Sequence, residues 1–390
     1  MKWNTFYRHW TTKPRAKEMR KNILITGGAG FIGSHLADEL LSHEYEVRVL
    51  DNLSEQVHGS NCKRPAYLDS EVEMISGDVR NPDIVRRALQ GVTAVYHFAA
   101  RVGVGQSMYE VADYTSVNNE GTAVLLQALI ERPVEKLVVA SSMSLYGEGL
   151  YRTTSGQLVP GNIRSLAQLK NHDWELHHDD GSVLSPTPTP ETKTPALASV
   201  YALSKYDQEQ LCLIIGQAYG IPTVAMRFFN VYGPRQALSN PYTGVMAIFA
   251  SRLINNKSPM IFEDGLQQRD FVSVYDVARA CRLALEVPES ASRVFNVGSG
   301  QHYTITELAG RISEAMGKSF IETEVTGKYR MGDIRHCFAD ISLARSILGY
   351  EPRVSIDDGL NELVQWLEGQ VAEDKVEQAR AELAARGLTV

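Results

Sequence analysis

Residues 22–33 read NILITGGAGFIG, a short apolar run followed by a glycine-rich turn and the start of a helical pattern. The branched side chains of Asn22–Thr26 predict a buried strand, and the apolar spacing predicts a helix over Phe31–Ser42. A strand that turns in this way into a helix presents free N–H groups at the positive end of the helix dipole. The pattern therefore predicts a phosphate-binding turn, whose glycines are Gly27, Gly30 and Gly33.

An acidic residue, Asp51, follows the next predicted strand, Glu46–Leu50. After a glycine-rich turn, a carboxylate at this place can accept hydrogen bonds from the adenosine ribose of a dinucleotide, and it repels a 2′-phosphate. The combination favours NAD over NADP, with an ordinary loop carboxylate as the alternative. Asp78 and Val79 follow the third predicted strand and are expected to meet the adenine.

Strands and helices alternate through the first half of the chain. The predicted strands are Asn22–Thr26, Glu46–Leu50, Val72–Ile75, Ala94–Phe98, Leu137–Ser141 and Thr223–Phe228. The clearest helical patterns between them are Gly121–Ile130 and Ser199–Tyr219. This alternation predicts an α/β fold of the Rossmann type, a doubly wound parallel sheet with helices on both faces.

The composition is that of a globular protein: of 390 residues, 44% are hydrophobic and 22% are charged. The net charge of −7 argues against a nucleic-acid partner, which would require a basic face. We expect no membrane span, because no uncharged apolar run is long enough. The four cysteines show neither CxxC pairs nor metal-ligand spacing, so we expect reduced thiols, no metal site and a cytoplasmic location.

The patterns divide the chain into four parts. Residues 1–18 are expected to be a tag or an over-long start, with a small partner-binding arm as the alternative. Residues 19–232 are predicted to bind NAD, residues 233–371 to form a smaller mixed α/β substrate domain, and residues 372–390 to form an exposed charged helix. Within the first domain, the proline-rich segment 148–198 predicts a loop-like insertion, either a lid or pocket wall or a surface excursion without a role.

Three polar side chains form a candidate catalytic group. Tyr201 and Lys205 lie four residues apart in a helical pattern and so share one helix face. An ammonium beside a phenol favours the phenolate, which can take a proton from a sugar hydroxyl as hydride leaves the same carbon. Ser142 ends the fifth predicted strand, at the sheet edge where ligands bind. A surface Tyr–Lys pair and a capping serine are the alternative interpretations.

Several motifs in order resemble the extended short-chain dehydrogenase/reductase family, and most closely its nucleotide-sugar 4-epimerases. They are TGGAGFIG (26–33), DNL (51–53), HFAA (97–100), SSMSLYG (141–147), YALSK (201–205) and RFFNVYGPR (227–235). The resemblance extends over residues 19–370 apart from the insertion. It implies a tightly held NAD, a nucleotide-diphosphate sugar as substrate and a homodimer.

The resemblance also implies roles for single residues. Ser142, Tyr201 and Lys205 match the catalytic triad of the family. Positions that match its cofactor site are Gly27, Gly30, Phe31, Ile32, Gly33, Asp51, Asn52, Asp78, Val79, Ala99, Asn118, Tyr201, Lys205 and Phe228. Positions that match its sugar-nucleotide site are Ser142, Ser144, Asn230, Arg269, Arg330, Asp333 and Cys337. The two arginines would hold the diphosphate bidentately, unless each forms an ordinary surface ion pair.

Departures from the family pattern narrow the implied activity. Dehydratases and decarboxylases of this family carry a carboxylate just after the strand-end hydroxyl, where this sequence has Met143 and Ser144. Galactose enzymes often have a tyrosine where this sequence has Cys337, and the smaller cysteine side chain would enlarge the sugar pocket. Val102 replaces a polar residue that is common in the galactose enzymes.

These features together predict an NAD-dependent 4-epimerase that works through a 4-keto sugar. The insertion, the stretch Asn240–Gly244 and the small Cys337 favour dTDP-L-rhamnose as substrate, which would yield dTDP-6-deoxy-L-talose. UDP-galactose and UDP-N-acetylhexosamine are the rival substrates. A 4-ketoreductase acting on a nucleotide deoxysugar and a non-catalytic NAD-binding scaffold are the rival classes.

Overall fold

A computed structural model describes residues 21–59, 63–240, 242, 244–330, 332–370 and 374–389. The predicted N-terminal segment 1–18 lies outside these residues. The strands in chain order are β1 Asn22–Thr26, β2 Glu46–Asp51, β3 Glu73–Ser76, β4 Ala94–His97, β5 Lys136–Ser142, β6 Leu150–Arg152, β7 Leu158–Pro160, β8 Ser185–Thr187, β9 Thr223–Phe228, β10 Asn230–Tyr232, β11 Met260–Ile261, β12 Gln268–Arg269, β13 Phe271–Ser273, β14 Arg293–Val297, β15 Tyr303–Thr304, β16 Glu324–Val325 and β17 His336–Cys337.

The α-helices are α1 Phe31–Ser42, α2 Glu55–His58, α3 Pro82–Ala88, α4 Val104–Ser107, α5 Val111–Tyr114, α6 Gly121–Glu131, α7 Leu166–Lys170, α8 Val200–Tyr219, α9 Val245–Ile254, α10 Val274–Glu286, α11 Ile305–Ala315, α12 Ser342–Leu348, α13 Ile356–Leu367 and α14 Val376–Ala385. A π-helical segment spans Thr115–Glu120, and 3-10 turns span Met143–Tyr146 and Pro288–Ser290. In the described part of the chain, no helix has the length and apolar character needed to cross a membrane.

A seven-stranded parallel sheet forms the centre of the fold, in the order β14-β9-β5-β4-β1-β2-β3. It confirms the Rossmann-type prediction, and all six predicted strands are present with ends shifted by at most one residue. The order reverses beside β1, because β4 pairs on one side of it and β2 on the other. In such sheets the crevice at the reversal is where ligands bind.

Both faces of the sheet are covered by helices. Alternate residues of β1 point to opposite sides: Ile23 belongs to a buried cluster with Leu36 of α1, whereas Leu24 belongs to another cluster with Leu125 and Cys212. This alternation explains why the strand sequences are almost continuously apolar, since each residue of a doubly covered strand meets a core.

The second half of the chain contributes to both parts of the fold. Strand β14 pairs with β9 at the edge of the large sheet, and α10 packs against α1. The predicted boundary at residue 233 therefore does not divide the chain into two contiguous domains. A separate core does form in the second half around Phe249 of α9, Leu308 of α11 and Leu363 of α13. Small mixed sheets accompany it.

The insertion 148–198 is structured, which corrects its description as a loop. Strands β6, β7 and β8 form a three-stranded antiparallel sheet, and α7 follows β7. Tyr151, Leu176 and Leu184 form a small core of its own. The proline-rich sequence concealed these strands because each has only three residues.

The predicted C-terminal helix is present as α14, but it is not simply exposed. Ala379 and Leu383 are buried, and Glu382 accepts a hydrogen bond from the Tyr109 hydroxyl at 3.0 Å. Thr389, just after α14, forms a bridge with Arg330. The helix therefore packs against the rest of the protein through buried apolar residues and through charged residues such as Glu382 and Glu377, which pairs with Arg252.

Candidate active site

A cavity of about 640 Å³ opens along the carboxyl ends of the large sheet. It brings together residues that are far apart in the sequence. The residues predicted for the cofactor that line it are Gly27, Gly30, Phe31, Ile32, Gly33, Asp51, Asn52, Asp78, Val79, Ala99, Tyr201, Lys205 and Phe228. The residues predicted for the substrate that line it are Ser142, Ser144 and Asn230.

The glycine turn at one end of the cavity has no room for side chains. Gly27 has a φ of +71°, and a Cβ there would lie 2.8 Å from the backbone nitrogen of Ala99. A Cβ on Gly33 would lie 2.5 Å from the Gly27 carbonyl oxygen. The turn and the first turn of α1 thus form a cradle of bare backbone, which fits the pyrophosphate of a dinucleotide.

Asp51 stands beside this cradle and helps to hold it. Its Oδ2 accepts from the backbone N–H of Ala29 at 3.0 Å, and its Oδ1 accepts from that of Leu53 at 2.9 Å. The carboxylate is 9% exposed and lines the cavity, so unused lone pairs of the two oxygens remain for ribose hydroxyls. The residues present therefore fit NAD.

We predict that the protein binds NAD(H) at least about tenfold more tightly than NADP(H). A 2′-phosphate would meet the Asp51 carboxylate, and two like charges about 4 Å apart repel by about 1 kcal/mol even in water. Calorimetric titration of the purified protein with each dinucleotide measures the ratio. Equal affinities would show that Asp51 does not face the ribose.

A second acidic group lines the cavity beyond Asp51. The Asp78 carboxylate accepts from Nη2 of Arg80 at 2.7 Å and from Nδ2 of Asn52 at 3.3 Å. Hydrogen bonds from Arg80 lower the pKa of Asp78 to about 2 against the effect of burial. Asp78 therefore stays ionised and fixes both neighbours, and Arg80 is a cavity residue that the sequence analysis did not single out.

The catalytic candidates meet where β5 and α8 approach each other. Helix α8 begins just before Tyr201, because the Ser199 hydroxyl caps it by accepting from the N–H of Ala202 at 3.1 Å. Burial raises the pKa of the Tyr201 phenol, and an interaction with the Ser142 side chain lowers it in part. Burial lowers the pKa of Lys205 to about 8. The Lys205 ammonium Nζ donates a hydrogen bond to Gln208 Oε1 at 2.6 Å.

The hydroxyl of Ser142 is oriented by its neighbour. It accepts two hydrogen bonds from Ser144, one from the backbone N–H at 3.2 Å and one from the side-chain O–H at 2.9 Å. A serine oxygen has two lone pairs and one proton, so the Ser142 proton is left to donate towards Tyr201 or a reacting oxygen. Ser144 thus orients the Ser142 hydroxyl through two hydrogen bonds.

Other predicted residues support the cavity from behind. Asn118 is fully buried: its Nδ2 donates to Ser204 Oγ at 2.8 Å, and its Oδ1 accepts from the Arg101 N–H at 2.7 Å. It is not among the residues that line the cavity. The Phe228 ring meets the Phe98 ring edge-on at 5.8 Å and forms part of the cavity wall.

Four residues predicted for the sugar nucleotide lie outside the cavity lining: three belong to the segment 330–337, and Arg269 of β12 packs against that segment. The Arg269 guanidinium donates to the carbonyl oxygens of Gln268, Ile334 and Arg335. Arg330 pairs with Asp333, with Nε and Oδ2 2.9 Å apart. Cys337 is buried next to Arg269 in the β12–β17 pairing, so it does not widen the cavity as expected.

The sequence analysis also missed Arg101, which lines the cavity. Its guanidinium forms ion pairs of 2.7 Å with Glu110 and with Asp113, and it donates to Gln56 Oε1 at 2.7 Å. The available signal was its place directly after the HFAA motif, on the loop that leaves β4. Across the described ranges, no group of three or more His, Cys, Asp and Glu side chains could hold a metal ion.

The fold and this cavity are those of a dinucleotide-binding protein, with the candidate residues Ser142, Tyr201 and Lys205 at the carboxyl edge of a Rossmann sheet. The chain belongs to the NAD dependent epimerase/dehydratase family, whose family model matches residues 23–168 and 179–298. Only residues 169–178 interrupt the match, so most of segment 148–198 is aligned with the family. Members of this family use NAD as cofactor. The relatives named as epimerases identify the chain as an enzyme of the isomerase class.

Several relatives of this chain are named as nucleotide-sugar 4-epimerases. The dTDP-L-rhamnose 4-epimerase of Burkholderia thailandensis is 36% identical over 352 residues, which is 89% of this chain and 95% of that protein. The UDP-glucose 4-epimerase of Thermotoga maritima, solved with UDP-glucose, has a TM-score of 0.73 and 32% identity over 89% of this chain and 99% of its own. The enzyme of Thermus thermophilus, solved with NAD, has a TM-score of 0.69 and 32% identity over 90% of this chain and 100% of its own.

Proposed function

We propose that the protein inverts C4 of a nucleotide sugar through a transient 4-keto sugar, with Tyr201 as the general base. The observation that carries the proposal is the convergence of Ser142, Tyr201 and Lys205 in one cavity with the glycine turn. The glycine turn and Asp51 would hold NAD, which would supply reversible hydride transfer at C4. A non-catalytic NAD-binding scaffold would not require these three side chains to lie in the same cavity.

The protein's own side chains handle the proton. The Tyr201 phenolate takes the proton of the C4 hydroxyl, and Lys205, which keeps its charge below a pH of about 8, favours that phenolate. The Ser142 hydroxyl, oriented by Ser144, donates to the reacting oxygen. Binding energy at the nucleotide holds the intermediate while the sugar turns. Met143 and Ser144 supply no carboxylate, so neither water nor CO2 is expected to leave the sugar.

The leading substrate is dTDP-L-rhamnose, with dTDP-6-deoxy-L-talose as product. Its support is the relative named for this activity, which aligns with 89% of the chain. The structural neighbours named for UDP-sugars keep UDP-glucose and UDP-N-acetylglucosamine as second candidates. The buried position of Cys337 removes the pocket-size argument against the UDP-sugars.

A panel of nucleotide sugars tests the proposal. The protein is incubated with dTDP-L-rhamnose, UDP-glucose, UDP-N-acetylglucosamine and UDP-glucuronic acid, and the products are identified by NMR. We expect C4 inversion without net change in NADH, and the fastest inversion with dTDP-L-rhamnose. Net reduction of added NAD with accumulation of a 4-keto sugar would instead identify a 4-ketoreductase running in reverse, and inversion of only the UDP-sugars would reject dTDP-L-rhamnose.

We further propose a homodimer that is formed through α8 and its neighbour α5. Leu203 and Ile214 lie three helical turns apart on α8 and are 46% and 58% exposed, and Val111 of α5 is 47% exposed. Exposed apolar residues along neighbouring helices indicate a protein contact. Sedimentation equilibrium should give a dimer for the unmodified protein and a monomer for the Leu203→Asp, Ile214→Asp double variant. Ile163 is 81% exposed and lies in the insertion, away from α5 and α8 in the sequence. The control variant Ile163→Asp should therefore remain dimeric.

A further inference from the structure

Gln208 is a buried residue one helical turn beyond Lys205 on α8. It is fully buried and does not line the cavity. Its Oε1 accepts from Lys205 Nζ at 2.6 Å. A charged donor and a neutral acceptor at this distance in a buried place form a charge-assisted hydrogen bond, one of the stronger kinds in proteins.

The surroundings of the Gln208 amide allow one orientation. Its Nε2 donates to Thr122 Oγ1 at 2.9 Å and to the Ala99 carbonyl oxygen at 3.4 Å. A carbonyl oxygen only accepts, so a turned amide would place oxygen against oxygen at Ala99 and NH2 against the Lys205 ammonium. The acceptor end of Gln208 must therefore face Lys205.

A chain of hydrogen bonds anchors this orientation to the sheet. Thr122 Oγ1 donates to the Asn118 carbonyl oxygen. The same Oγ1 atom lies 2.8 Å from His97 Nε2. His97 Nδ1 lies 2.8 Å from Thr26 Oγ1 at the end of β1. Burial, with a further effect of the Lys205 charge, lowers the pKa of His97 to about 3, so the imidazole stays neutral. Gln208 is thus held from the strand that leads into the glycine turn.

We propose that Gln208 is a positioning residue that keeps the Lys205 ammonium charged and fixed beside Tyr201. This inference rests on the proposed role of Lys205 in the epimerase. No other hydrogen bond of Lys205 Nζ is present among the described residues, so the Gln208 carbonyl is the acceptor that the fold provides for it.

The titration of Lys205 makes this acceptor important. Burial lowers its pKa to about 8, against the smaller opposing effects of Cys212 and Glu209 on the same helix. Glu209 is itself bound by Arg227, with which it pairs at 2.7 Å, and by the Ser141 hydroxyl at 2.6 Å. On the sheet side, the charge of Lys205 acts on His97, which is neutral. Loss of the Gln208 acceptor should therefore lower the Lys205 pKa into the neutral range.

The test compares Gln208→Met, which removes the acceptor at similar volume, with Gln208→Glu, which keeps an acceptor and adds a charge. Lys205 is titrated by NMR of the full-length protein labelled at lysine Cε, with and without NAD, and its signal is assigned by its absence in Lys205→Met. We expect the Lys205 pKa to fall by about one to two units in Gln208→Met and to rise in Gln208→Glu. A Gln210→Met control on the same helix should leave the titration unchanged.

Turnover provides the second readout. At pH 7 we expect kcat of Gln208→Met to fall by about 2-fold to 10-fold, in proportion to the charged fraction of Lys205. KM for the nucleotide sugar should be unchanged, because Gln208 does not line the cavity. The pH above which kcat declines should move down in Gln208→Met and up in Gln208→Glu. An unchanged Lys205 titration in both variants, or shifts in the same direction, would overturn the proposal. Because the titration needs no substrate, it decides the role of Gln208 even if the panel finds no epimerase activity.

Discussion

Tyr201→Phe is expected to lower the rate of C4 inversion by about 10²-fold to 10⁴-fold, the usual contribution of a general base. The variant removes the hydroxyl and keeps the ring, which meets the Tyr114 ring edge-on at 6.4 Å. The backbone N–H of Tyr201 still donates to Ser107 Oγ at 3.0 Å. Folding and NAD binding should therefore survive, and the loss should appear in kcat.

Isotope retention locates the chemistry at C4. In the unmodified protein the C4 hydrogen should return to the sugar, because a transferred hydride does not exchange with water. Turnover in heavy water should then bring little deuterium into the product. Deuterium that accumulates at C3 or C5 would contradict the mechanism and indicate enolisation beside a 4-ketone.

Tyr219→Phe is the matched control, since Tyr219 ends the same helix and is 51% exposed. Its kcat should equal that of the unmodified protein. If Tyr201→Phe were as active as Tyr219→Phe, Tyr201 would not be the base and the proton would have to leave through another group.

The sequence predicted those parts of the fold in which a local pattern of apolar residues coincides with a strand of the large sheet. The glycine turn, Asp51 and the strands β1 to β5 follow from apolar runs whose residues are buried on both faces. Strand β14 escaped because Arg293 and Asn296 interrupt its apolar run. The three-residue strands of the insertion are too short to show a periodic pattern, and they pair with one another across a proline-rich sequence.

The site divides in the same way. Ser142, Tyr201 and Lys205 were found because short-range spacing places them, on one strand end and one helix face. Gln208 was missed because its role depends on Thr122 and Ala99, which the fold brings from other elements. Arg269 illustrates the opposite case: a guanidinium matched to phosphate binding by sequence is here engaged by backbone carbonyl oxygens.

Arg335 is the centre of a buried ionic network that fixes the insertion to the second half of the chain. Its side chain is fully buried, and it contacts Glu175 of the insertion together with Glu263 and Asp264. At the start of the insertion, Glu148 accepts from the backbone N–H of Arg335 at 2.7 Å. The sequence could not show this network because its members are up to 187 residues apart.

Arg335→Met should therefore lower the free energy of unfolding by about 3–5 kcal/mol, the usual cost of removing one partner from a buried ion pair. Glu263, which is 2% exposed, would keep only Arg164 as its cationic partner at 2.8 Å. Chemical denaturation measures the loss. None of these residues lines the cavity, so NAD binding by the folded variant should be unchanged. Limited proteolysis should cut the variant faster within residues 148–198.

The loss should also depend on pH. Burial tends to raise the pKa of Glu175, but hydrogen bonds from His336 and Arg335 outweigh it and hold the pKa at about 2. A carboxylate with a depressed pKa stabilises the folded state above its unfolded pKa, and this contribution disappears as the pH falls towards 2. The stability difference between Arg335→Met and the unmodified protein should therefore narrow as the pH falls below about 4.5, the ordinary pKa of a Glu side chain.

Arg345→Met supplies the comparison, because Arg345 and Glu351 form an ion pair in which the two side chains are 49% and 65% exposed. Such a pair contributes about 0–1 kcal/mol, so this variant should be nearly as stable as the unmodified protein at every pH. If Arg335→Met were no less stable than Arg345→Met, the charges around Arg335 would be hydrated or neutralised after its loss. The insertion would then be held by its apolar contacts, such as those of Trp174 with Tyr329, rather than by the ionic network.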